Sequence, residues 1–214
     1  MKYVCVTLVG GHKLYSMPLF FEYIGKLQTL PQEIWVSCTE KIYDECMKAY
    51  NLDIPIKHLH GEGDLGDDYI HSTTAAREAI RQEIAQSDYD WALWLDNDML
   101  VPPDMIEKFQ LLLQKTPDLL MVNAYHPARQ DGIRIRHGLG SSFISKEMMA
   151  AYPFMMATIR GKNLGDDYLW KIMMTQFKSI FKFSILSGIY FDVKHLTKDG
   201  RIKEFDREAR KQLL

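Results

Sequence analysis

The chain has 214 residues, 47% of them apolar and 25% charged, with a formal net charge of −2. That length can bury a substantial core without cross-links, and the balance is that of an ordinary globular domain. Near-neutral charge without a long basic run gives no footprint for a nucleic-acid partner, and no apolar run approaches the ~20 residues of a membrane span.

In chain order, Tyr3 to Val9 reads as a first strand, with Gly10-Gly11 as the turn after it. The apolar segment is too short for the core of a signal peptide with its cleavage site. Ser16 and Pro18 mark a helix start, and Phe20, Ile24 and Leu27 give that helix an apolar face. Glu33 to Thr39 is a second strand rich in β-formers, Glu40 to Tyr50 a helix, and Ile54 to Leu59 a third strand. The polar, glycine-containing stretch Gly61 to His71 reads as a loop. Ser72 or Thr73 then caps a helix carrying Ala76, Ile80 and Ile84 on one face. Trp91 to Leu95 is a short, unbroken apolar run, the mark of a buried strand, and it stops at Asp96-Asn97-Asp98.

The second half is less regular. Pro103-Asp104 opens a helix to about Thr116, and Leu119 to Tyr125 is a strand. Ile133 to His137 alternates apolar and basic, one arm of a hairpin with Leu139 to Ser145. Asp166 to Phe177 reads as a helix, Phe183 to Val193 as a strand, and the tail after Lys203 as a terminal helix. Met148, Met149, Met155 and Met156 form a soft apolar segment suited to core, lid or a lipid-like acceptor. The three cysteines, Cys5, Cys38 and Cys46, are odd in number and lack ligand spacing; Cys5 and Cys38 lie inside apparent strands, which predicts buried free thiols there and a reducing, cytoplasmic setting.

Alternating strands and helices predict a mostly parallel α/β sheet with helices on both faces and a smaller mixed C-terminal part. Right-handed crossovers gather the strand-to-helix loops on one edge. That edge would bring together Val9, Gly10 and His12, Thr39 and Glu40, the loop with Asp64, Asp67 and Asp68, and Asp96 to Asp98. Such an edge is where open α/β sheets bind ligands. In a strict strand Asp96 and Asp98 share a face and converge on one hard cation. If the chain turns at Asn97, one carboxylate binds the ion and the other a ribose or a metal-bound water.

Asp96-Asn97-Asp98, ending an apolar strand and preceded by a helix with Arg77, resembles the Asp-x-Asp motif of GT-A fold glycosyltransferases. Gly165-Asp166-Asp167-Tyr168-Leu169-Trp170 is similar to the Glu-Asp motif of the inverting members, with Asp in place of Glu at the first position. His195, after the apolar Ile189 to Val193, stands where many such enzymes complete the metal site. The resemblance covers roughly residues 1–196 and implies a Rossmann-like GT-A sheet over a single domain, 1–214. Within it, about 1–100 would bind nucleotide, about 101–196 would shape sugar and acceptor pockets, and 197–214 would be a tail.

The implied activity is transfer of a hexose-type sugar from a UDP- or GDP-sugar to an acceptor hydroxyl, with inversion. Asp98, Asp96 and His195 would hold Mn²⁺ or Mg²⁺, and Asp167, with Asp166 beside it, would be the catalytic base. Val9, Gly10, His12, Thr39, Glu40, Asp64, Arg77, Asp96, Asn97, Gly138 and Gly140 would contact the substrates. Two other readings stay open: a sugar-phosphate nucleotidyltransferase, for which Gly10-Gly11-His12-Lys13 is a poor version of the expected loop, and a non-catalytic nucleotide- or carbohydrate-binding module. Contact with a membrane surface is also open.

Overall fold

The computed structural model describes residues 1–61, 69–124, 139–155, 157–159, 162–164 and 183–204. Its main sheet has seven strands in the order β10-β6-β7-β4-β1-β2-β3. In chain order these are β1 (Tyr3–Leu8), β2 (Glu33–Cys38), β3 (Ile56–His60), β4 (Trp91–Leu95), β6 (Leu119–Ala124), β7 (Ser141–Ser145) and β10 (Ser184–Ile189). All run parallel except β7, which is antiparallel to both β4 and β6. The expected α/β sheet is therefore present.

Side chains of β1 alternate between two cores because successive residues of a strand point to opposite faces. Tyr3 and Cys5 pack with Phe20, Phe21 and Ile24 of α1 (Met17–Gly25), Ile42 of α2 (Glu40–Met47) and Phe109 of α4 (Met105–Lys115). Val4 and Val6 pack with Ile80 and Ile84 of α3 (Tyr69–Gln86) and Met148 and Met149 of α5 (Lys146–Ala151). Helices on both faces explain why β1 and β4 are near-continuous apolar runs rather than alternating ones. Phe109 stacks on Phe143 at 3.9 Å, and Trp94 meets Phe154 at 5.5 Å, so each face has an aromatic contact near the β4–β7 pair. Met148 and Met149 are thus core, while Met155 is exposed.

Two expectations change. The helix after the glycine-containing loop begins at Tyr69, so Ser72 and Thr73 lie in its first turns rather than capping it. The chain from Gly11 to Ser16 is a 3₁₀ helix leading directly into α1. Ser141–Ser145 is an interior strand, with Ser142, Phe143 and Ile144 pairing with β4 on one side and β6 on the other; the expected partner arm at 133–137 lies outside the described residues. Residues 125–138 and 165–182, with the expected strand at 133–137 and helix at 166–177, lie outside the described residues, as does the tail from 205. Among the described residues no helix is long and apolar enough to cross a membrane, and all three cysteines are free and buried.

A second, three-stranded sheet, β12-β11-β5, joins β5 (Met99–Leu100), β11 (Lys194–Leu196) and β12 (Ile202–Lys203). The expected strand from Phe183 to Val193 ends at Ile189, and β11 begins only at Lys194. Two further strands, β8 (Ala157–Ile159) and β9 (Lys162–Leu164), form an antiparallel pair.

Candidate active site

The acidic motif sits where β4 leaves the sheet. Met99 N donates to Asp96 O at 2.9 Å, closing a turn over Asp96–Met99 that reverses the chain into β5. The chain turns at Asn97, so the two carboxylates do not share a strand face: Asp96 stays partly accessible while Asp98 is fully buried.

Among the described residues, two basic groups from distant parts of the chain reach Asp98. Lys13 Nζ lies 3.3 Å from its Oδ1, and His195 Nε2 lies 3.3 Å from its Oδ2. The small sheet brings the histidine in, since His195 is in register with Met99 and Leu196 N donates to Asp98 O at 2.8 Å. A carboxylate fully removed from water is strongly unfavourable unless compensated, and these two neighbours supply the compensation. Asn97 anchors the turn to the first loop, its Nδ2 donating to Lys13 O at 3.0 Å and lying 3.5 Å from Met17 Sδ. Asn97 Oδ1 is buried with no hydrogen-bond partner among the described residues.

Asp96 is seated by Gly140. Asp96 N donates to Gly140 O at 2.8 Å, and a Cβ built on Gly140 would stand 2.7 Å from Asp96 Oδ2. The glycine permits close approach, but the group that approaches is the Asp96 carboxylate.

Asp96 also opens onto a cleft lined by Leu8, Gly10, His12, Lys13, Thr73 and Arg77. The first loop and α3 thus meet the acidic turn. Arg77 is 7% exposed, so it is no ordinary surface arginine. Thr73 Oγ1 is buried without a hydrogen-bond partner among the described residues. Val9 is buried in the core and is not part of the cleft lining, its N donating to Ser37 O at 3.0 Å. Thr39 and Glu40, at the end of β2, are not part of the cleft lining. Glu40 instead has Oε2 3.3 Å from His58 Nδ1.

Asp64, Gly138, Asp166 and Asp167 lie outside the described residues. Lys13 and Thr73 escaped the sequence reading as site residues. For Lys13 the signal was its position in the Gly10-Gly11-His12-Lys13 loop; for Thr73 it was a residue one helical turn before Arg77, on the same face.

The donor set suits a hard divalent cation. Ligand atoms at 2.0–2.1 Å in an octahedron are about 2.9 Å apart, and the His195–Asp98 separation of 3.3 Å is within a few tenths of that. Carboxylate with imidazole is a donor set for Mn²⁺, and for Mg²⁺ the carboxylate is the natural ligand.

No protein-family model and no curated protein matches the sequence. Solved structures do match. The mannosyltransferase PcManGT from Pyrobaculum calidifontis, in complex with GDP-Man and Mn²⁺, aligns over 87% of this chain and 54% of its own, at 11% identity and a TM-score of 0.59. Glucosyl-3-phosphoglycerate synthase from Mycobacterium tuberculosis, with Mn²⁺, UDP and glucosyl-3-phosphoglycerate, aligns over 99% and 74%, at 10% identity and 0.56. The 4-diphosphocytidyl-2C-methyl-D-erythritol synthase of Anaerococcus prevotii aligns over 99% and 96%, at 12% and 0.51. The chain spans less than half the length of two S. aureus TarS structures, 47% and 37%, at TM-scores of 0.48 and 0.46 that bear no weight. With the sheet order and the small accessory sheet, these likenesses establish that the chain has the GT-A fold.

Proposed function

We propose that the protein is a metal-dependent glycosyltransferase that moves a sugar from a UDP- or GDP-sugar to an acceptor hydroxyl with inversion. The observation that carries this reading is the buried Asp98 carboxylate at the end of β4 with the His195 imidazole 3.3 Å away. Asp98 and His195 would hold Mn²⁺ or Mg²⁺, which when bound offsets negative charge on the leaving diphosphate. Asp96, half-accessible at the cleft mouth, contacts the ribose or a metal-bound water. Lys13 and Arg77 line the same cleft and offer fixed positive charge to the phosphates. Thr73 and Gly10 complete the nucleotide side of the cleft. Asp167 takes the proton of the acceptor hydroxyl, and Asp166, beside it at the expected helix start, orients the acceptor or caps the helix.

Two features favour a second reading, a nucleotidyltransferase joining a sugar phosphate or similar alcohol phosphate to a nucleotide. Lys13 of the first loop lines the cleft, and the erythritol-synthase likeness spans nearly the whole of both chains. One experiment separates the two. The protein is incubated with Mn²⁺ and a panel of nucleotide sugars, and separately with nucleoside triphosphates and sugar phosphates. The transferase reading expects metal-dependent thermal stabilisation by one nucleotide sugar and release of nucleoside diphosphate. Pyrophosphate release from a triphosphate would replace it with the second reading. Binding of a nucleotide sugar without turnover, even to water, would leave a binding module.

A further inference from the structure

A separate cluster lies at the same sheet edge but outside the cleft lining, where α2 begins and β3 ends. His58 and His60 are two apart on β3 and so share a face. Glu40 opens α2 beside them, and one ligating atom from each of the three residues lies within 4.8 Å of the others. His58 Nε2 is 2.9 Å from Cys38 O. A carbonyl oxygen only accepts, so Nε2 carries the hydrogen, and in the neutral ring Nδ1 bears the lone pair. That lone pair faces Glu40 Oε2 at 3.3 Å. Two acceptors facing each other at that distance repel, and positive charge between them, a proton or a metal ion, would turn the contact favourable. The ring is further held by Tyr43, stacked on it at 4.2 Å and 14°.

We propose that Glu40, His58 and His60 form a second cation site, one for a borderline divalent ion of the Zn²⁺ class. Zinc takes imidazole and carboxylate at about 2.0–2.2 Å, and two such ligands at a tetrahedral angle stand about 3.4 Å apart. The observed 3.3 Å matches that edge. The hydrogen bond from His58 Nε2 to a backbone carbonyl is the arrangement that fixes the tautomer of a metal-ligating histidine. Exposed Glu40 and His60 can close the remaining gap by side-chain rotation, with water completing the tetrahedron. Two imidazoles favour Zn²⁺, Co²⁺ or Ni²⁺ over Mg²⁺, which distinguishes this site from the oxygen-richer one at Asp98. The ion would tie the start of α2 to the end of β3.

The test uses the full chain and two variants at exposed side chains, His60→Ala and Glu40→Gln, which leave the packed His58 ring in place. Zn²⁺ is titrated by calorimetry and Co²⁺ by visible absorption. The parent should bind one Zn²⁺ equivalent that both variants lose by at least about tenfold in affinity, with cobalt d–d bands that weaken in parallel. Equal zinc affinity and stoichiometry in all three proteins would overturn the site, leaving His58 and Glu40 as a proton-bridged pair. A thiolate-to-cobalt band in the near ultraviolet would also overturn it, assigning the metal to cysteine.

Discussion

His195 Nε2 stands 3.3 Å from Asp98 Oδ2, and the pairing of β11 with β5 holds it there. If the two residues share a divalent ion, His195→Ala should raise the Mn²⁺ concentration needed for half-maximal nucleotide-diphosphate binding by at least about tenfold. Asp98→Ala should abolish the metal-dependent part of that binding. Identical Mn²⁺ titrations for parent and His195→Ala would assign the histidine to compensation of the buried carboxylate alone.

Lys13 provides the complementary test. Its ammonium compensates Asp98 from the other side, so Lys13→Met leaves a buried carboxylate with less opposing charge. The melting temperature should fall more in EDTA than in saturating Mn²⁺, since a bound cation would replace the lost charge. An equal fall in both conditions would mean that Lys13 acts by packing only.

Gly140→Ala targets Asp96 without touching it chemically. The new Cβ would meet Asp96 Oδ2 at 2.7 Å and Cγ at 2.9 Å, so the carboxylate must move. Overpacking of this kind typically costs ~1–3 kcal/mol. Chemical denaturation should show a loss of that order, and nucleotide affinity should drop with it. Unchanged affinity in a destabilised variant would separate Asp96 from the nucleotide.

Catalysis is tested at the proposed base. Asp167→Asn keeps size and hydrogen bonding but removes the basic oxygen, so donor binding should persist while transfer slows by ~10²–10⁴-fold. Asp166→Asn should be milder. If Asp166→Asn is the inactive one, the match to the inverting motif is out of register by one residue. Near-parental rates for both would leave a helix cap and a different base.

Glu78 gives a pH dependence. Burial pushes its carboxyl up, but hydrogen bonds from Arg81, Gln82 and Phe154 N, with the Arg81 charge, outweigh that and hold it below its ordinary value. A carboxylate depressed in the folded protein contributes stability that is present above its unfolded value and lost as pH falls through the folded one. Lowering the pH below about 4.5 should therefore loosen the docking of residues 152–155 on α3. Glu78→Gln should flatten the melting-temperature profile over that acid range. A parallel profile for the variant would show that Glu78 is not the responsible group.

The sheet and the acidic turn were legible because local pattern suffices for them. Trp91 to Leu95 must be buried on both faces, and a run ending in Asp96 and Asp98 can only end at an edge. The burial of Asp98, the seat that Gly140 makes for Asp96 and the approach of Lys13 were not legible. Each depends on a non-local contact, and composition carries no signal for those. Leu139 to Ser145 reads as a strand, but nothing local says that Ser142 to Ile144 are paired on both sides. His195 was found through resemblance, and the physical route to it is a short pairing of β5 with β11 that neither segment announces.

The antiparallel insertion of β7 also bears on how this chain can be divided. β4 has β1 on one edge and β7 on the other, and β7 arrives only with residues 141–145. A fragment ending near residue 100 would present Trp91–Leu95 as an open, wholly apolar edge, the surface on which other chains add strands. Such a fragment should self-associate when expressed, even though it carries the whole of the cleft lining.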